Sequence, residues 1–142
     1  MPAEKINLDD LLPHRGAMRL VDEVVAVDSE HAVTRARVAL HWPGLGPTGL
    51  SPEVLIELMA QTAGVHNGWV RLNDEGPEGD TRGWLVGIKS ARLGTAPIPV
   101  GATLVTRAEN TYAFDNFREV SGSVTLDGEE LARAVMQLLR AA

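Results

Sequence analysis

The sequence predicts an α+β fold in which an antiparallel sheet of about five to six strands wraps around one long buried helix. Three observations carry that expectation. The stretch from Ser51 to Val70 is apolar on nearly every helical face, which marks an enclosed helix and not a surface one. Segments with alternating or β-branched character lie on both sides of it. Turn signals at Asp28-Ser29-Glu30, Asp115-Asn116 and Asp127-Gly128 separate those segments, the last being a strong hairpin signal.

Composition sets the outer bounds. The 142 residues, 44% hydrophobic and 23% charged, describe one globular domain over residues 1–142 with enough apolar side chains for a core. The absence of cysteine excludes disulfides, thiolate metal sites and thiol nucleophiles. A net charge of −6 argues against nucleic acid as a partner. No apolar run reaches bilayer length, and Met-Pro-Ala-Glu-Lys-Ile lacks a basic segment followed by an apolar one, so the expectation is a cytoplasmic protein without a membrane span.

In chain order, Ile6 to Leu12 reads as a short helix capped by Asn7 or Asp9 and ended by Pro13. Met18–Val27 and Ala32–Leu40 read as a pair of strands joined by the turn at Asp28. Trp42 to Leu50, with three glycines and two prolines, is a loop that feeds the helix. Ser51 can cap that helix, and Pro52 suits its first position, where the missing N–H costs nothing. Asn73 to Thr81 reads as an exposed connection. Four further strands are expected at Trp84–Arg92, Thr103–Tyr112, Arg118–Leu126 and Glu130–Leu139. The last has helical propensity, but an Asp-Gly turn directly after a strand favours return pairing. One helix available to cover one antiparallel sheet, with sheet edges left to pair with a second copy, is the outline of a dimeric hotdog fold.

Inside the helix the sequence places Glu57 and Gln61, four apart and so on one face. A carboxylate among Val54, Leu55, Ile56, Leu58, Met59 and Ala60 is costly unless paired, hydrogen-bonded or protonated. Glu57 is therefore the candidate catalytic group, expected to have its pKa raised by burial.

Leu11-Leu-Pro-His-Arg followed by an apolar strand carrying Val21-Asp22, Pro52-Glu-Val-Leu-Ile-Glu-Leu-Met-Ala-Gln61, Gly87-Ile-Lys-Ser-Ala-Arg-Leu93 and Pro99-Val-Gly-Ala-Thr-Leu104 together resemble the hotdog-fold (3R)-hydroxyacyl-[acyl carrier protein] dehydratases of the FabZ/FabA type. Glu-Leu-Met-Ala-Gln-Thr-Ala-Gly-Val and Gly68-Trp69 are more similar to the divergent ApeP-type branch associated with aryl-polyene clusters.

The resemblance maps the family's catalytic carboxylate onto Glu57 and its helix glutamine onto Gln61. It implies elimination of water from a 3-hydroxyacyl thioester to give a trans-2-enoyl thioester. Histidine would take the α-proton, and the carboxyl group would serve the leaving hydroxyl. The family's histidine lies in a His-Phe-Pro-Gly segment, and in that register this chain has Pro43 or Gly44, neither of which transfers a proton. His41-Trp-Pro-Gly44 reproduces the segment's text further upstream, which makes His41 the candidate base. Gly49, Pro52, Glu53, Val54 and Gln61 are the expected substrate-binding residues, the N–H groups of the first helical turn polarising the thioester carbonyl.

The implied partners are acyl carrier protein and a second copy or a related dehydratase subunit. Lys89 and Arg92 are expected to dock the anionic carrier. No metal and no cofactor are expected beyond the carrier's phosphopantetheine. Two alternatives stand beside the dehydratase: a catalytically reduced partner subunit and a hotdog acyl thioesterase. His14 is expected to be a structural post, His31 a solvated turn residue, and His66 a packing or surface residue.

Overall fold

The computed structural model describes residues 6–77, 80 and 82–141. Its centre is α1, Val54–Glu75, and its frame is a six-stranded antiparallel sheet. The strands are β1 (Glu23–Val27), β2 (His31–Arg37), β5 (Gly83–Leu93), β6 (Thr103–Phe114), β7 (Phe117–Leu126) and β8 (Glu129–Arg140), in the spatial order β1-β2-β6-β7-β8-β5. A two-residue hairpin, β3 (Leu45–Gly46) with β4 (Gly49–Leu50), leads into the helix.

The expected strand count, the order of elements and the strand assignment of residues 130–139 agree with this architecture. The hairpin turns sit where the sequence places them, with Asp115 at φ 55°, Asp127 at φ 50° and Gly128 at φ 82°. These left-handed conformations suit Asp and Gly in tight turns.

The helix lies across β1, β2, β6, β7 and β8. Leu55, Leu58, Met59, Ala63 and Val65 are buried against Ala32, Ala36, Leu104, Ala108, Val120, Val124, Ala134 and Met136. Each fully buried Leu or Met contributes about 1.5–3 kcal/mol. At Gly122 the sheet needs the missing side chain, because a Cβ there would stand 3.1 Å from the Met59 Cβ and Sδ. β5 forms the far edge of the sheet beyond the helix and is exposed along nearly its whole length, with Trp84, Leu85, Val86 and Ile88 open to solvent.

Four local expectations are corrected. Met18 to Asp22 is not strand: Gly16–Met18 is a 3₁₀ turn and β1 begins only at Glu23. The Met18 carbonyl and the Leu20 and Val21 N–H groups are taken up by the side chain of Gln61 and not by a neighbouring strand. The expected helix over Ile6 to Leu12 is a single 3₁₀ turn, Leu8–Asp10, whose cap Asn7 accepts the Asp9 N–H at 2.9 Å. Ser51 does not cap α1: its hydroxyl donates to the Glu53 carboxylate, and Glu53 at the N-cap makes no side-chain cap bond. Within the expected connection 73–81, residues 73–75 belong to α1, and residues 78, 79 and 81 lie outside the described residues.

The N-terminal segment folds back over the helix at Gly64 and Gly68. A Cβ on Gly68 would stand 2.4 Å from the Leu11 carbonyl oxygen, and one on Gly64 would stand 2.8 Å from the Leu12 side chain. Backbone cannot rotate away as a side chain can. Gly68→Ala is therefore expected to lower unfolding stability by roughly 1–3 kcal/mol through overpacking, read as a lower urea midpoint. An unchanged midpoint would contradict the close approach.

Candidate active site

The fold-back over Gly64 and Gly68 carries Pro13 and His14 to the start of the same helix. His14 Nε2 lies 3.3 Å from Glu57 Oε1. The loop is pinned by arginines: Arg15 donates to the carbonyls of Leu12, His14 (2.9 Å) and Asp9 (3.0 Å), and Arg19 Nε donates to the His14 carbonyl at 3.2 Å. His14 Nδ1 is buried and has no hydrogen-bond partner among the described residues.

Gln61 is fully buried and holds the other side of Glu57. Its Oε1 accepts the N–H groups of Leu20 (2.9 Å) and Val21 (3.4 Å). Its Nε2 donates to the Met18 carbonyl (2.8 Å) and to Glu57 Oε1 (3.0 Å). One amide therefore ties the chain before β1 to the helix and fixes the carboxylate that His14 meets. A planar donor–acceptor group with two donors and an acceptor oxygen suits four such bonds.

Glu57 departs from the sequence expectation. Its side chain is 47% exposed and faces a cavity, not the helix-sheet core. The hydrogen bond from His14 pulls its pKa below the usual carboxylate value, Gln61 and the His14 charge act in the same direction, and desolvation opposes them. The expected rise is therefore a fall, and at neutral pH the group is a carboxylate ready to accept a proton. A folded-state value below the unfolded 4.5 adds stability that is complete above 4.5 and is lost as pH drops through the folded value. Glu57→Gln should remove that acid dependence, narrowing the gap to wild type in unfolding experiments run below pH 4.5. The effect is expected to stay under about 1 kcal/mol because about half of the side chain is open to solvent, which screens the interaction.

A cavity of about 130 Å³ runs from this pair along the helix. Glu57, Ala60, Gly64, Asn67, Gly68 and Arg71 line it from one helix face, and Trp84, Leu85, Leu138 and Leu139 line it from β5 and β8. Spacings of three and four residues put those helix positions on one stripe.

The other sequence-selected residues lie elsewhere. His41 is exposed in the turn before β3, lines no wall of this cavity and, among the described residues, makes no hydrogen bond or ion pair. The geometry pairs His14, not His41, with Glu57. Gly49 is held at φ 133° against the Ile98 carbonyl, where a Cβ would stand 2.6 Å away. Pro52, Glu53 and Val54 form the entry to α1 outside the cavity. There the Val54, Leu55 and Ile56 N–H groups donate to Ser51, Pro52 and Glu53, so these amides of the first turn are already engaged. Lys89 and Arg92 are exposed on β5, Lys89 paired with Glu119 at 3.5 Å. His31 contacts Asp28 at 3.2 Å, and His66 is 1% exposed, its pKa lowered by burial. The signal for His14 that spacing misses is the pair of helix glycines four apart, which opens the groove for Leu11 and Leu12.

No curated protein matches the chain. Among solved structures it is similar to the dehydratase heterocomplex ApeI:P from Xenorhabdus doucetiae, at 23% identity over 96% of this chain and 92% of that one, with a TM-score of 0.87. It is also similar to a hypothetical thioesterase with coenzyme A from Streptococcus pneumoniae, at 16% identity over 84% and 85% with a TM-score of 0.63. The PaaI protein of the E. coli phenylacetic acid degradation operon gives 13% identity over 82% and 81%, with a TM-score of 0.61. These likenesses establish the hotdog fold. Residues 6–142 match the ApeP-like family, described as ApeP dehydratase, and with almost the entire sequence inside that match the chain belongs to this family of dehydratase-like hotdog proteins.

Proposed function

We propose that the chain takes part in dehydrating 3-hydroxyacyl thioesters presented on acyl carrier protein, with Glu57 and His14 as the reacting groups. The observation that supports this most is the 3.3 Å contact between His14 and Glu57 beside the mostly apolar cavity. The Glu57 carboxylate takes the α-proton, and protonated His14 gives a proton to the leaving 3-hydroxyl. The C–H and C–O bonds break, water departs and the double bond forms between them. Passage of the proton from Glu57 to His14 across their contact restores both groups. Gln61 acts as a positioning residue, and Lys89 and Arg92 remain the docking residues for the anionic carrier.

A second reading draws on the heterocomplex of dehydratase subunits in the Xenorhabdus structure and on the exposed apolar edge β5. In it the chain works beside a related dehydratase subunit that covers this edge and contributes to turnover. One experiment separates the readings. Purified protein is given 3-hydroxyacyl and plain acyl thioesters, alone and mixed with a related dehydratase subunit. Enoyl product from the protein alone supports the first reading, and product only on mixing supports the second. Free thiol without enoyl product overturns both in favour of a thioesterase.

A further inference from the structure

The end of the cavity remote from Glu57 is cationic. Arg71, Arg82, Arg118 and Arg140 line it, and Glu57 is the single carboxylate among the lining residues, some four helical turns from Arg71. Arg71 is only 6% exposed; it donates to the Ala141 carbonyl at 3.1 Å, and Glu75 lies 3.4 Å from its Nε. Arg82 is paired with Asp80. The other two are less compensated. Arg118 spends one nitrogen on the Asp115 and Phe117 carbonyls, at 2.7 and 2.8 Å, and among the described residues has no ion pair. Among the described residues the Arg140 side chain has no partner, and its Nε is buried. Burial first, then the charges of Arg140 and Arg71, hold Arg118 below the usual arginine pKa, with the Asp115 carboxylate opposing them more weakly.

Guanidinium groups gathered around a cavity wall repel one another unless an anion sits between them. Their planar forks match the oxygens of phosphate or carboxylate. Trp84, Leu85, Leu138 and Leu139 form the apolar part of the wall beside them, and a contact against such a surface is stronger than one in open water.

We infer that Arg71, Arg118 and Arg140 form an oxyanion subsite, which holds a phosphate or carboxylate group of the ligand at the end of the cavity away from Glu57 and His14. The subsite deepens the proposed function, since it places the charged end of the ligand whose thioester lies at Glu57, but binding there does not require turnover. Arg82, exposed and already paired, adds long-range attraction only.

The test follows Trp84 fluorescence, since Trp84 lines the same cavity, with Trp84→Phe as the control for signal origin. Inorganic phosphate and succinate are titrated separately into the full chain at constant ionic strength set with chloride. At least one should give saturable binding, weakened ten-fold or more by Arg118→Gln and by Arg140→Gln. Phosphate binding alone assigns the subsite to a phosphate ester, and succinate binding alone assigns it to a carboxylate. Arg118 and Arg140 lie at strand ends, so the two variants should unfold at the wild-type midpoint; Arg71→Gln is avoided because its side chain is buried. No saturable response to either anion, or wild-type affinity in both arginine variants, overturns the inference. Absence of dehydration, both alone and with a related dehydratase subunit, in an anion-binding protein would overturn the proposed function and leave the subsite standing.

Discussion

Glu57→Gln is expected to slow enoyl formation about 10²–10⁴-fold, the usual worth of a positioned proton-transfer group. Glutamine keeps the size of the side chain and can still face Gln61 and His14, but it cannot take a proton. The loss should therefore appear in kcat with KM little changed. The assay is run on the protein alone or together with a related subunit, whichever turns over. Because His14 and Gln61 pull the Glu57 pKa below 4.5, the base stays ionised well into acid, and the wild-type rate should begin to fall only below that pH. A Glu57→Gln rate within three-fold of wild type would remove Glu57 from the chemistry.

Gln61→Met should cost more stability than any other single change at the site, roughly 2–5 kcal/mol. Methionine fills a similar volume but strands the buried N–H of Leu20 and the carbonyl of Met18, and each such loss costs about 1–3 kcal/mol. Urea unfolding read through m and midpoint gives the difference. The same change frees Glu57 from one of its two fixing bonds, so its pKa should rise, since the Gln61 bond acts to lower it. Turnover would then drop further than stability alone explains at temperatures where the variant is folded. A loss below about 1 kcal/mol would mean that residues 18–21 are not tied to the helix through this amide.

The sheet, the helix and even the fourth C-terminal strand were legible because period and turn chemistry are local. Asp127-Gly128 adopts the left-handed turn it encodes, and the apolar run after Pro52 is buried where it meets the sheet. Glu57 and Gln61 were legible as a pair because helix spacing alone puts them together, and they share a hydrogen bond of 3.0 Å. His14 was not, since its partner lies far along the chain and is reached only after Leu11 and Leu12 seat over Gly64 and Gly68. His41 was chosen for the wording of its segment, but the loop places it in solvent. The direction of the Glu57 shift was missed for a similar reason. Apolar neighbours in sequence imply desolvation, whereas the side chain leaves the helix toward a cavity in which a histidine waits. Strand bounds failed where one side chain, Gln61, replaced a neighbouring strand as the partner of the backbone.

The measurement closest to the central claim compares His14→Ala with His41→Ala on one 3-hydroxyacyl thioester under one set of conditions. The account predicts that His14→Ala loses enoyl formation about 10²-fold or more, while His41→Ala turns over at the wild-type rate and both variants keep the wild-type unfolding midpoint within a few degrees. Full activity in His14→Ala together with loss in His41→Ala would contradict it and move the partner of Glu57 in proton transfer to the loop before the helix.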